Sequence, residues 1–315
     1  MGVVPVRDAR RHASISLISA LSNLSIQYNL SAISIALAFM DDGHQADPAY
    51  PRTASQDSAL KALVFAGAIT GQLTMGLAGD VLGRRRAMLL TNSFSVLGTL
   101  GTALFTWGAP AAMFGIMIAC RFLLGVGVGG KYPLAATMSQ EEAKAHSSVE
   151  VAKAFFWQTP GAMLPYVVAL LLILSFGRGN HGAEHLVATS MQFRLVLGLG
   201  CVPTVASSLL TYHSTESDDY LAARRTASNN PFRVAAEHPE LLGPLAGCGL
   251  SWLLYDFIYY GTSFNQVMIT DAVFGDADAL VDVCWQNIVL SAMGLPGVLL
   301  GIGWLWRGSP RMLQA

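Results

Sequence analysis

The chain of 315 residues is 53% hydrophobic and 12% charged, with a formal net charge of −1 and a mean hydropathy of +0.46. Soluble domains hold about 25% charged residues, so this composition excludes a water-soluble globule of that length. The near-neutral balance excludes a nucleic-acid partner, and an integral membrane protein, solvated by the lipid bilayer, remains.

A bilayer-crossing helix needs about 20 mostly apolar residues. In chain order such stretches fall near 15–40, 59–80, 87–107, 110–136, 149–176, 191–212, 241–263 and 283–306. The first is too long for a removable signal and lacks a small-residue cleavage site. Its Asn-x-Ser matches at Asn23 and Asn29 lie within the span and do not read as glycosylation sites. The polar string "DDGHQADPAYPRTASQDS" (41–58) reads as an outside loop, and 213–240 as a long inside connection. The chain thus divides into a six-helix domain (1–212), a cytoplasmic linker (213–240) and two helices of a second domain (241–315). With the N-terminus inside, the inside ends collect most of the 19 Lys and Arg, while the outside ends hold Arg52, Lys61, Arg178 and Arg194. That bias predicts a cytoplasmic N-terminus.

Cys120, Cys201, Cys248 and Cys284 sit in apolar runs without metal-ligand or redox spacing and read as small hydrophobes. The spans show no catalytic Ser/His, metal-ligand or paired-carboxylate arrangement, so neither an enzyme nor a cofactor is expected.

The fourth stretch carries "RFLLGVGVGGKYPLAA" (121–136), with Gly125, Gly127 and Gly130 matching G-x-G-x-x-G. A dinucleotide fingerprint needs a preceding strand and a tight turn. Here the run lies inside a long apolar helix, where small residues let a neighbouring helix approach. Arg121, embedded in the same span, marks function, because a mid-membrane cation faces a cavity or a partner. The second stretch ends in "GLAGDVLGRRR", placing Gly76, Asp80, Gly83, Arg84, Arg85 and Arg86 around a basic inside turn. Together the two patterns resemble the signature motifs of the major facilitator superfamily, with Val81 standing where a basic residue is usual.

The longer string 121–142, together with 193–205, 214–224 and 295–314, resembles the phosphate:H+ symporter family of that superfamily. The resemblance implies a helical bundle that moves inorganic phosphate by alternating access, coupled to protons, in the plasma membrane. It covers about two thirds of a family member, one whole domain and two helices of the other. Either the sequence is then a fragment or a short gene product, or the remaining helices come from another chain.

In "SWLLYDFIYYGTSFNQ" (251–266), Trp252, Asp256 and Tyr260 are spaced i, i+4, i+8 and share one helix face. A carboxylate between two polar-tipped aromatics on a membrane helix requires a cavity or a partner. The resemblance implies that these three bind substrate, together with Tyr132 and Gln158. Asn29 and Lys131 stand where the family carries acids, and Trp306 where a second inside loop carries one. Asp256 is then the carboxylate left for proton coupling. Three roles are open to Lys131: an ion pair with Asp256, attraction of an anion, or snorkelling to the surface. Rival readings are a carrier of another anion, such as a glycerophosphodiester or organic acid, and a truncated membrane protein without transport.

Overall fold

The computed structural model describes residues 6–41, 50–142, 147–176, 183–217, 220–222, 236–264, 266–275 and 280–308. Residues 42–49 of the expected outside loop lie outside the described residues, as do 223–235 of the expected linker, Arg178 and Arg311. Among the described residues every regular element is helical. The α-helices are α1 (Val6–Asp41), α2 (Ala54–Leu82), α3 (Arg84–Leu104), α4 (Pro110–Glu142), α5 (Ser147–Phe156) and α6 (Gln158–Phe176). They continue with α7 (Ala183–Leu199), α8 (Cys201–His213), α9 (Leu242–Phe264), α10 (Gln266–Phe274), α11 (Leu280–Ala292) and α12 (Gly294–Leu305).

Among the described residues seven segments are long and apolar enough to cross a membrane: Ala54–Leu82, Arg84–Leu104, Pro110–Glu142, Ser148–Phe176, Val187–His213, Pro239–Ser263 and Leu280–Leu305. The span expected at 15–40 is a helix within α1, yet it is not among these seven. Its Ser19, Ser22, Asn23, Ser25, Gln27 and Asn29 depress its hydropathy, and all six are buried against other helices. α1 packs on α4, α6, α7 and α8 at once and so forms the spine of the bundle. Polarity in a lipid-embedded helix is tolerated when it faces protein.

Three expected spans each carry a one-residue break in the helical hydrogen-bond pattern, at Trp157, Gly200 and Met293, and each still runs on as one membrane-crossing segment. Every break lies three residues before a proline: Pro160, Pro203 and Pro296. Proline has no N–H for the carbonyl four residues back, and its ring clashes there. Pro133 and Pro165 lie inside α4 and α6 without a break.

The closest packing joins α2 to α4. A Cβ on Gly67 or Gly71 of α2 would run into the carbonyl oxygens of Phe122 and Val126, and one on Gly125 or Gly129 of α4 into those of Val64 and Ala68. The glycine run is therefore a helix-packing seam. Gly127 faces Ser95 of α3 in the same way. An apolar core of Phe39, Phe114, Tyr166, Phe193 and Cys284 fills the end of the bundle opposite the Arg-rich turn at Gly83. α11 packs on α6 and α12 on α5. α9 stands at the margin, with Leu253, Phe257 and Ile258 exposed.

Leucine at Gly125 or Gly129 forces the two backbones apart, at a cost of about 1–3 kcal/mol or more. Alanine at Gly76 meets open space and should gain about 0.5–1 kcal/mol of helix stability. Thermal unfolding of purified protein in detergent checks both expectations.

Candidate substrate site and basic-end cluster

The Asp256 face of α9 meets α1, α4 and α6 in one polar cluster. The hydroxyls of Tyr132 (α4) and Tyr260 (α9) lie 2.9 Å apart and hydrogen-bond. Gln158, first residue of α6 after the break at Trp157, donates to Asn23 Oδ1 at 2.9 Å. Gln27 donates to Gln158 Oε1 at 3.4 Å and is also hydrogen-bonded to Tyr260. Asn23, Gln158, Gln27, Tyr260 and Tyr132 thereby form one chain of contacts across four helices.

Aromatic rings frame it. Tyr260 meets Phe65 of α2 edge-on at 4.7 Å. Phe155 of α5 lies 6.3 Å from the rings of both Tyr132 and Trp252. Trp252 hydrogen-bonds Asp256, one helical turn away, so the carboxylate is already oriented. The structure thus brings Tyr132, Gln158, Trp252, Asp256 and Tyr260 to one place. Sequence reasoning passed over Asn23, Gln27, Phe65 and Phe155. The i, i+4 spacing of Asn23 and Gln27 in an otherwise apolar stretch was the available signal for the first two.

Chemically, two phenols and three side-chain amides offer N–H and O–H donors, and Asp256 offers either an acceptor or, when protonated, a further donor. That mixture suits a small oxyanion that still carries a hydroxyl.

The two buried cations of α4 stand apart from this cluster. Arg121 is 1% exposed and donates to the backbone carbonyls of Asn29 at 2.8 Å and Leu60 at 3.3 Å. It staples α4 to α1 and α2. Lys131 is 0% exposed and donates to Ser25 Oγ at 2.8 Å and Thr204 Oγ1 at 3.1 Å. Neither the ion pair with Asp256 nor snorkelling describes it: the amine turns away from α9 and stays far from solvent. Asn29 uses its whole amide, donating to the carbonyls of Ser25 and Gly200 and accepting from Thr99 at 3.0 Å. A carboxylate could not make those two donations.

A second cluster organises the basic end. Asp80 accepts from Arg84 Nη1 at 2.6 Å, and Arg84 pairs with Glu141 of α4 at 3.0 Å. The carboxylate of Glu216 accepts from the backbone N–H groups of Arg84 and Arg85, each at 3.1 Å, and so caps the N-terminus of α3. Gly83 is required twice over: its φ is +102°, and a Cβ there would collide with the same carboxylate. Arg85 donates to the carbonyls of Thr211 and Tyr212. Tyr220 lies under the Arg84 guanidinium at 4.9 Å and donates to the Asp80 carbonyl. Of the motif residues, Gly76 and the exposed Arg86 take no part in this cluster. Trp306, standing where an acid was expected, receives the ammonium of Lys153 over its ring at 5.1 Å, so the substituted position still makes a contact.

Residues 15–236 match the family described as "Sugar (and other) transporter". The chain is 36% identical over 293 residues to "Inorganic phosphate transporter PT2" of Toxoplasma gondii, covering 91% of this chain and 49% of that protein. It is 26% identical over 240 residues to "Glycerophosphoinositol transporter 1" of Saccharomyces cerevisiae, covering 75% of this chain and 44% of that protein. Among solved structures, the proton:xylose symporter XylE bound to 6-bromo-6-deoxy-D-glucose superposes with a TM-score of 0.69 at 18% identity, over 94% of this chain and 69% of that one. At that identity the likeness concerns the fold. The chain spans about half the length of the curated relatives it matches.

Removing the carboxylate with Glu216→Ala uncaps α3 at two N–H groups and should cost about 1–2 kcal/mol. Glu216→Gln, which keeps one acceptor oxygen, should cost less. Melting temperatures of the two variants, measured side by side, rank them.

Proposed function

We propose that this chain, which belongs to the Sugar (and other) transporter family of the major facilitator superfamily, carries inorganic phosphate across a membrane by alternating access. The observation that carries the proposal is the meeting of Tyr132, Gln158, Asp256 and Tyr260 at one point, although they come from three separate helices. The 36% identity to a protein named as an inorganic phosphate transporter supports the same substrate.

In this reading the phosphate oxygens accept from the hydroxyls of Tyr132 and Tyr260 and from the amide of Gln158. The phosphate hydroxyl donates to Asp256, which Trp252 holds in place. The Tyr132–Tyr260 hydrogen bond opens as the anion enters, its two hydroxyls exchanging each other for phosphate oxygens. In this reading Asp256 is also the group that takes up and releases a proton during the cycle, since it is the carboxylate that stands at the site. The cluster of Asp80, Arg84, Glu141 and Glu216 holds the basic end of the first half together while the site changes access. Arg11, Arg84, Arg85, Arg86 and Lys153 gather at one end of the bundle. This supports a cytoplasmic N-terminus.

A specific observation favours one second reading. Trp252 and Tyr255 are 48% and 60% exposed beside Asp256, a surface on which the organic part of a phosphodiester can lie, and one relative is named as a glycerophosphoinositol transporter.

Uptake of radiolabelled phosphate into proteoliposomes tests the proposal. Asp256→Asn should lower uptake on the order of tenfold or more, the loss of one charged hydrogen bond. Tyr132→Phe should raise the KM several-fold. Uptake unchanged in Asp256→Asn removes the role given to that carboxylate. Stronger competition by glycerophosphoinositol than by phosphate itself shifts the assignment to the diester.

A further inference from the structure

Lys131 is fully buried, and its amine is held by two neutral oxygens, Ser25 Oγ and Thr204 Oγ1. Among the described residues it forms no ion pair. Acceptors of this kind solvate an ammonium without cancelling its charge. The position of that charge relative to the phosphate cluster follows from helix geometry. Asn23 and Gln27 of α1 belong to the cluster, one turn apart on one face. Ser25 lies between them in sequence and is turned about 200° from Asn23, toward the opposite face. There it meets Thr204 of α8 at 2.6 Å and receives Lys131. On α4, Lys131 and Tyr132 are successive residues, one pointing behind α1 and the other into the cluster.

The ammonium therefore sits on the far side of α1 from the site, about one helix diameter, or ~10 Å, away. The body of α1 lies between them, so protein rather than bulk solvent screens the charge. A unit charge at about that distance, with an effective dielectric constant of about 20, changes binding on the order of tenfold for each unit of ligand charge. Arg121, the other buried cation of α4, is engaged with backbone carbonyls of α1 and α2. Arg121 adds a field of the same sign.

We infer that Lys131 sets the charge preference of the site from behind α1, strengthening anion binding in proportion to the anion's charge without touching the ligand. This rests on the phosphate reading above and goes beyond it, because it makes a residue outside the contact set decide which ionic form binds.

The test compares binding of phosphate and thiophosphate to the purified full chain at mildly acidic pH. The two ions are close in size, but thiophosphate is then mainly a dianion and phosphate mainly a monoanion. In Lys131→Met, phosphate binding should weaken on the order of tenfold and thiophosphate binding by roughly the square of that factor. The ratio of the two affinities should fall accordingly, and Lys131→Arg should restore most of it. If both ligands weaken equally, or neither does, Lys131 only pins α1, α4 and α8 together and the inference is overturned. Should Lys131→Met fail to fold, Lys131→Gln, which can still hydrogen-bond Ser25 and Thr204, is read by the same ratio. A wild-type chain that binds neither ion removes the phosphate reading itself, and the inference with it. Phosphate binding that persists while the ratio stays unmoved removes only the inference.

Discussion

The backbones of α2 and α4 touch because Gly67, Gly71, Gly125 and Gly129 put no Cβ between them, and much of the molecule is positioned from that contact. Burial of apolar surface gives little drive for helix association inside a bilayer, where lipid tails are as apolar as leucine, so close van der Waals packing has to supply it. Direct backbone approach extends that packing along about two turns. It also brings the Leu60 carbonyl of α2 within reach of Arg121. With α4 fixed against α2, and against α3 through Gly127, its remaining faces carry Lys131 toward α8 and Tyr132 toward α9. A wider spacing at the glycines would move both side chains off their partners.

The division between what the sequence discloses and what it hides has a physical basis. Lipid-facing helices are legible by composition, and the glycine run is legible because its apolar surroundings exclude a strand and turn. Trp252, Asp256 and Tyr260 are legible because one helical period relates them. The partners of Lys131 are not, since Ser25 and Thr204 lie 106 and 73 residues away along the chain. A serine inside an apolar run looks the same whether it faces lipid, a helix or an ammonium. α1 shows the same limit: its buried polar stripe lowers the hydropathy by which a span is recognised, although that stripe faces the interior of the bundle. Glu216 is hidden for another reason. Capping a helix 131 residues upstream leaves no periodicity to read. The breaks at Trp157, Gly200 and Met293 were open to inference from their prolines, but Pro133 and Pro165 show that the rule names candidates and not outcomes.

Charge inside the bundle is handled with neutral partners. Arg121 is met by two backbone carbonyls and Lys131 by two hydroxyls. A buried ion pair would cancel more charge, but its desolvation can exceed its Coulombic gain, and its cancelled field would no longer reach a ligand. Neutral acceptors satisfy the donors and leave the field standing. Asn29 fits this scheme, because its amide ties α1 to Thr99 and Gly200 without adding a negative charge beside Arg121. At the basic end, where water reaches, the opposite solution is used: Asp80 and Glu141 meet the Arg84 guanidinium with full charges, and the Glu216 carboxylate meets the positive N-terminus of α3.

The alternating access proposed for this chain needs one kind of contact that holds and another that breaks, and both kinds are present. Within the first eight helices the glycine seam, the Arg121 staple and the Glu216 cap are dense and mutually dependent. Against the later helices α11 packs closely on α6 around Cys284, whereas at the proposed site the contacts are small and separate: the Tyr132–Tyr260 hydroxyl pair, Gln27 with Tyr260, the rings of Phe65 and Phe155, and, further off, Lys153 over Trp306. An exposed cation–π contact contributes about 0.5–1 kcal/mol, and a neutral hydrogen bond a similar net amount. Each can be exchanged for water or for an anion at little cost. Because the hydroxyl pair lies where phosphate is proposed to bind, the ligand replaces the contact that joins α4 to α9. In the proposed reading the direct bond between α4 and α9 is exchanged for one made through the ligand, so occupancy of the site changes how the two halves are joined.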